Sequence, residues 1–590
     1  MVTIPLAASS SSSASTPRPA RPASLDPLVV PFELEASDIA TYPYDLGKCT
    51  RPIRTSSPAA QIWFDRGLTW TWAFNHEEAV RCFQRALLED PTCSMAYLGV
   101  SYANGGNYNR PFQLRSKEEL PGLLAACVRA AELAVQHATD PLERALAEAL
   151  LLRYPAEPTP TAAELKHCTR LWGDAMRDVY ARYGDDLDVA AIYADSRMNL
   201  APWQLWDIPT GKPNVDAHTL EIRDVLARAL VDPRSHTHAG VLHLWIHLVE
   251  LSPTPELAIV PGDRLRDLIP SSGHLRHMPS HIDIVTGDYR RAIASNAQAI
   301  VADREYERFT NDSDFYAIYR THNAEFLVYA ALFSGQLEVA RAGVDEIERI
   351  LSDRLLRLGD NADWFETFRA DRAHILVRFG RWDELLALPI PADQVLFAVT
   401  TATLRYARGV AYAVLGHVAK AEEEQRLFRA ACAAVPVTRM AYPNSAHSIL
   451  AVGESMLAGE LDYRKGNFDA AFVHLREAVR RSDNLVYAEP WGWMQPPRHA
   501  LAALLLEQGH VEDAAAVYAA DLGFDATLPR AHRHPCNVWA LHGYHECLRK
   551  LGQPALANIV KADLDIALAV ADVEIRSSCY CRKAELACCT

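Results

Sequence analysis

Seven of the chain's 22 histidines fall between residues 236 and 281: His236, His238, His243, His247, His274, His277 and His281. An even spread would put roughly two in that window, so the clustering asks for a cause. His243 and His247 are four residues apart, as are His277 and His281, and the two pairs are offset by 34 residues. A spacing of four sets both imidazoles of a pair on one helix face. Glu250 follows His247 by three and shares that face. Imidazole suits zinc, copper, iron or nickel, and added carboxylate leans toward iron or zinc. Helical bundles build metal sites from Glu and His at these spacings on facing helices. Pro279 lies inside the second pair; it removes one helical hydrogen bond, so a kink is expected there.

Such an arrangement needs helices in register, and the chain supplies them. A Gly followed five residues later by Ala recurs as Gly287/Ala292, Gly335/Ala340, Gly416/Ala421, Gly466/Ala471, Gly509/Ala514 and Gly552/Ala557, with Gly380 and Leu385 as a further copy. Each Gly reads as a turn between two helices and each Ala as a tight crossing. Runs such as Val344–Leu351 repeat apolar residues at helical spacing, and period-2 alternation is almost absent, so sheet should be negligible. The copy near residue 60 is the clearest. Its Trp63, Gly67, Trp70, Ala79, Phe83, Ala86 and Pro91 resemble the tetratricopeptide repeat, with Arg66 replacing the pattern's Leu.

Longer strings resemble one bacterial and fungal subfamily of tetratricopeptide-repeat proteins with HxxxH pairs in neighbouring repeats. They are Ala73-Phe74-Asn75-His76-Glu77-Glu78-Ala79, Asn107-Tyr108-Asn109, Met198-Asn199 with Pro202-Trp203, HLWIHLVE, GHLRHMPSHI, RFGRW at 378–382, Glu489-Pro490 with Trp493 and Arg498, and Pro535 through Trp539. Together they span about residues 55–575. The resemblance implies an all-α, helix–turn–helix solenoid; it implies no defined reaction.

In that repeat, positions 2, 5, 9 and 12 of the first helix face a concave groove. Counted from Gly287 as position 15, His274, His277 and His281 take positions 2, 5 and 9; one repeat earlier, His243, His247 and Glu250 take 5, 9 and 12. Counted from Gly335, His322 takes position 2 and Glu325 position 5, where the subfamily often has His. The expectation is a divalent transition metal (iron, copper or zinc) held in the groove by His243, His247, His277, His281 and His322. Glu250 and Glu325 would be its catalytic carboxylates, with Glu250 a fifth ligand or a base. His238, His274 and Trp203 would line the substrate surface. The corresponding function is metal-dependent chemistry on a small organic substrate, either oxygen-dependent oxidation or metal-assisted hydrolysis. The alternatives are a non-catalytic scaffold binding a peptide in that groove, and metal sensing or storage.

Composition bounds the partners. The net charge of −15, with 74 acidic against 59 basic residues and no strong basic patch, argues against nucleic acid and anionic lipid. No apolar run reaches the length of a membrane span. P-loop, GxGxxG, HExxH and GxSxG motifs are absent, which leaves nucleotide-dependent and serine-hydrolase chemistry without support. The organisation expected is a Ser/Pro-rich disordered segment over 1–55, His-bearing repeats over 56–395, further repeats over 396–575 and a cysteine-containing tail over 576–590. The 12 cysteines lack a framework and read as reduced thiols of a cytoplasmic protein, with import into an organelle left open; the exception is the tail, Cys579, Cys581, Cys588 and Cys589, which reads as a frayed terminus with a soft-metal site or cross-link as the alternative. His532, His534, His542 and His545 read as loop and helix surface, and His374 as a core histidine. The segments around 300–315 and 484–498 are candidate lids.

Overall fold

The computed structural model describes residues 25–30, 39–310 and 316–582; most of the expected disordered N-terminal segment, and the end of the cysteine-containing tail, lie outside the described residues. The fold is all-α. Among the described residues the only strands are two ladders of two-residue strands, Trp206–Asp207 with Lys212–Pro213 and Met440–Ala441 with Asn444–Ser445. The chain forms two compact units. One comprises Met1–Tyr44, Thr50–Thr71 and His76–Ala175; the other comprises Asp45–Cys49, Trp72–Asn75 and Met176–Thr590.

In the first unit the repeat residues act through size. A Cβ on Gly67 would lie 2.6 Å from the Phe83 ring and one on Gly99 2.7 Å from the same ring, so two helices close on it. Trp63, Trp70 and Phe83 are buried.

In the second unit the turn signature has one structural meaning, repeated seven times. Gly287, Gly335, Gly380, Gly416, Gly466, Gly509 and Gly552 all have positive φ. After each, the next N–H bonds the carbonyl five residues back: Asp288 to Asp283, Gln336 to Ala331, Arg381 to Leu376, His417 to Tyr412, Asn467 to Asp462, His510 to Leu505 and Gln553 to Leu548. That is the Schellman closure of a helix C-terminus, and it launches the antiparallel partner helix at once. Ala292, Ala340, Ala421, Ala471, Ala514 and Ala557 are buried, as is Leu385. The helix pairs Ala317–Ser334 with Leu337–Ile350, Ala398–Val414 with Val418–Ala434, and Ala446–Arg464 with Phe468–Asp483 follow this rule and are joined by one continuous apolar core. This is a tetratricopeptide-like array.

Two of the longer strings meet in that core. Arg378 of RFGRW lies buried with its guanidinium 4.0 Å from the Trp539 ring centre. It also bonds His499 Nδ1 and the Ser578 carbonyl. His499 in turn pairs with Asp521, which His534 and Asn537 also bond. His534 therefore belongs to an interior network, and His532 is buried against Trp491; neither is the surface residue expected. Residues 576–582 are docked, with Ser578 bonded to the His499 carbonyl and Cys579 cross-linked to Cys581.

Candidate metal centre

Three helical segments and one loop of the second unit build the site. The Ala239–Val249 helix starts at His238, whose Nδ1 accepts from Val241 N–H, and carries His243 and His247, with Glu250 at its C-terminal cap. Gly240 on this helix admits Trp72, whose ring would lie 2.5 Å from an added Cβ. That close approach brings in Phe74, stacked on His247 and His274 at 5.7 and 5.4 Å between centroids. The second helix splits where Pro279 lacks an N–H: Gly273–His277 and Pro279–Thr286 meet at Met278. His274 and His277 come from the first piece and His281 from the second. The Ala317–Ser334 helix adds His322, and the loop before Pro497 adds Tyr487 and Glu489.

These side chains form overlapping groups, each with ligand atoms within 4.8 Å of one another: His243, His247 and His274; His277, His281 and His322; and His247, Glu250 and Glu489. The five histidines other than His322 are at most 3% exposed. The imidazoles are therefore interior groups and not residues of an open groove, because Phe74, Phe326 and the Tyr487–Glu489 loop cover them. Burial holds His247, His274, His277 and His322 well below the usual imidazole range, and His243 at about 3. They are neutral, the state in which imidazole is a ligand.

The hydrogen bonds decide which nitrogen of each ring is free. Asn296 spends its amide N–H on the Ala292 carbonyl, so its Oδ1 faces His277 Nδ1 at 2.7 Å as an acceptor. His277 therefore carries its proton on Nδ1. Glu250 Oε1 accepts from the Tyr487 hydroxyl and lies 2.7 Å from His281 Nδ1, which donates to it. Burial, and then the Glu250 carboxyl, push the Glu489 carboxyl far up. Burial, against the nearby Glu489 backbone, holds His322 low. His277 and His281 thus each give Nδ1 to an acceptor and turn Nε2 inward. His277 Nε2 and His281 Nε2 then lie 2.7 Å apart.

The other expected residues lie outside the His277, His281 and His322 group. His243 and His274 meet at Nε2 to Nε2, 3.2 Å apart, with His243 Nδ1 donating to the Trp72 carbonyl. His274 Nδ1 has no partner, so its Nε2 can hold the proton and that contact is an ordinary N–H···N bond. His238 is bound to Asp188 and to its own helix start, away from the imidazole groups. Glu250 orients His281 and Tyr487, which leaves it poorly placed as a free base. Glu325 is buried beside Asp371 and not among the imidazoles; burial and then Asp371 push its carboxyl far up. Trp203 packs edge-on to Tyr442 at 5.4 Å.

No spacing in the sequence assigns Asn296, Tyr487, Glu489 or Phe74 to the site. Asn296 had a local signal, since it stands four residues after the turn-signature Ala292 on the same helix face. Tyr487 lies 237 residues from Glu250, and no local pattern joins them.

No family model and no curated protein matches the chain. Among solved structures it is similar to yeast Tom70, at 10% identity over 86% of this chain and 90% of that one, with a TM-score of 0.28. It is also similar to Naa15/Naa10 bound to HypK-THB, at 12% identity over 86% of this chain and 70% of that one, with a TM-score of 0.23. Among the described residues no helix is long and apolar enough to cross a membrane.

Proposed function

We propose that the chain is a metal-binding helical-repeat protein in which His277, His281 and His322 hold a transition metal. One observation carries this reading: His277 Nε2 and His281 Nε2 face each other at 2.7 Å, with both Nδ1 atoms bonded to other acceptors, Asn296 and Glu250. A metal ion bound beside both nitrogens would account for two imidazoles turned to one point. Outer acceptors on each ligating histidine are the usual companions of a metal site, and three imidazoles suit zinc, copper or iron. A metal so held supplies Lewis-acid or oxygen chemistry to a small organic molecule. Glu250, Tyr487 and Asn296 fix the rings, and Phe74 and Phe326 keep water from them. The subfamily resemblance, with its HxxxH pairs, and a cytoplasmic location belong to the same proposal. Titration of chelator-treated protein with Co²⁺ tests it: ligand-field bands should appear at one equivalent and vanish in His281→Ala. No bands in the unaltered protein would reject the site.

The second reading is a partner-binding scaffold, favoured by the repeat architecture itself, which offers ridged surfaces to extended partners. In that case the imidazoles form a polar seam around a shared proton, and His277→Ala weakens partner binding without any metal being lost.

A further inference from the structure

Glu489 has a second neighbourhood. Beside the imidazoles it lines a small cavity of about 50 Å³ whose polar wall includes Glu325, Asp371 and His374. The apolar wall includes Phe368, Tyr442, Ile449 and Met494, and none of the lining residues is Lys or Arg. Two atoms of the polar wall are buried without a hydrogen-bond partner: Asp371 Oδ2 and His374 Nδ1. Their residues are only 4% and 5% exposed. Buried polar atoms are nearly always paired, so two orphans on one wall point to a donor that enters from the cavity.

We propose that this cavity binds a small organic amine in its ammonium form, with the nitrogen against Asp371 and Glu325 and the apolar body against Phe368 and Tyr442. An ammonium brings three N–H donors and a positive charge to a wall that offers acceptors and carboxyls. Aromatic faces beside it add attraction for the same charge. Asp371 also lies close enough to raise the cost of ionising Glu325, a cost that a bound cation removes. Trp203, edge-on to Tyr442, backs the aromatic wall. Because Glu489 belongs both to this cavity and to the group with His247 and Glu250, an amine here sits next to the imidazole centre. As a binding site the cavity stands by itself. As the source of that centre's substrate it rests on the metal reading.

Calorimetric titration of the full chain separates the two, with benzylamine as probe and benzyl alcohol and benzoate as neutral and anionic counterparts of similar shape. Metal-loaded and chelator-treated protein are both titrated. Benzylamine should bind at least about tenfold more tightly than benzyl alcohol, and benzoate should not bind. Asp371→Asn should weaken benzylamine about tenfold and leave benzyl alcohol unchanged; Glu325→Gln serves as the second variant, each checked by its thermal melt. Benzylamine binding to chelated protein upholds the site even if the centre holds no metal. Metal retention with no benzylamine binding, or equal binding of the alcohol, overturns the amine site and leaves the centre standing.

Discussion

His277 Nε2 and His281 Nε2 lie 2.7 Å apart at the middle of a buried group, with Asn296 and Glu250 behind them. His277 Nδ1 donates to Asn296 and His281 Nδ1 to Glu250. The chain therefore spends four interior polar residues on turning two Nε2 atoms to one point, which is what a bound metal ion would use.

If Asn296 acts by fixing the His277 tautomer, Asn296→Leu should lower metal affinity about 10- to 100-fold while the helical signal stays unchanged. Competition against a chromophoric chelator measures this. Unchanged affinity would mean that His277 does not need its outer acceptor.

Turn glycines should differ in cost according to what surrounds them. Gly287 has φ +88°, and an added Cβ would lie 2.6 Å from the Pro535 carbonyl oxygen; Gly416 has φ +84° and open space around it. Gly416→Ala should cost about 1 kcal/mol, the left-handed backbone alone. Gly287→Ala should cost about 2–4 kcal/mol, because backbone must also move. Equal losses in urea unfolding would contradict the packing described at Pro535.

Gly273 opens the helix of His274 and His277 directly beneath the Asp303 carboxyl, where a Cβ would lie 1.9 Å from Oδ1. Gly273→Ala must displace either the helix or Asp303. A loss of about 1–3 kcal/mol is expected, together with weaker metal binding, since the ligand His277 rides on that helix. Thermal unfolding and metal titration of the variant check both.

Asp303 also carries the clearest pH dependence. Burial is the main cause that raises its carboxyl to about 7, against Asn323 and Arg320, which lower it. The native state thus favours the protonated acid. Its stabilising contribution is complete below the unfolded value near 4 and is lost as pH rises through about 7. Asp303→Asn keeps an acceptor for Asn323, which donates to Asp303 at 2.7 Å, and should gain on the parent by a few kcal/mol, on the order of the linkage shift, above pH 8. Unfolding curves at pH 5 and pH 9 measure the difference; an equal gap at both would exclude Asp303 as the titrating group.

Legibility in the sequence followed locality. The Gly-to-Ala turn signature is short-range chemistry, and each of its copies closes a helix by the same hydrogen bond. The spacing of four likewise puts His277 and His281 side by side. What the spacing does not carry is the division of the histidines between groups. Pro279 breaks the helix between those two residues, and Phe74, two hundred residues earlier, wedges against His243 and His274. Groove positions presuppose an open groove, yet the Tyr487 loop reaches Glu250 from far along the chain. Glu325, three residues after His322, turns toward Asp371 for the same reason: its neighbours come from segments that no periodicity links.

The most direct measurement is elemental analysis of the full chain purified without a metal-affinity tag, beside the His277→Ala/His281→Ala double variant. The account predicts close to one equivalent of iron, copper or zinc per chain, lost in the double variant while the helical fold remains. No metal in the unaltered protein, even after incubation with each ion under reducing conditions, would contradict it and leave the 2.7 Å contact as a pair of imidazoles sharing a proton.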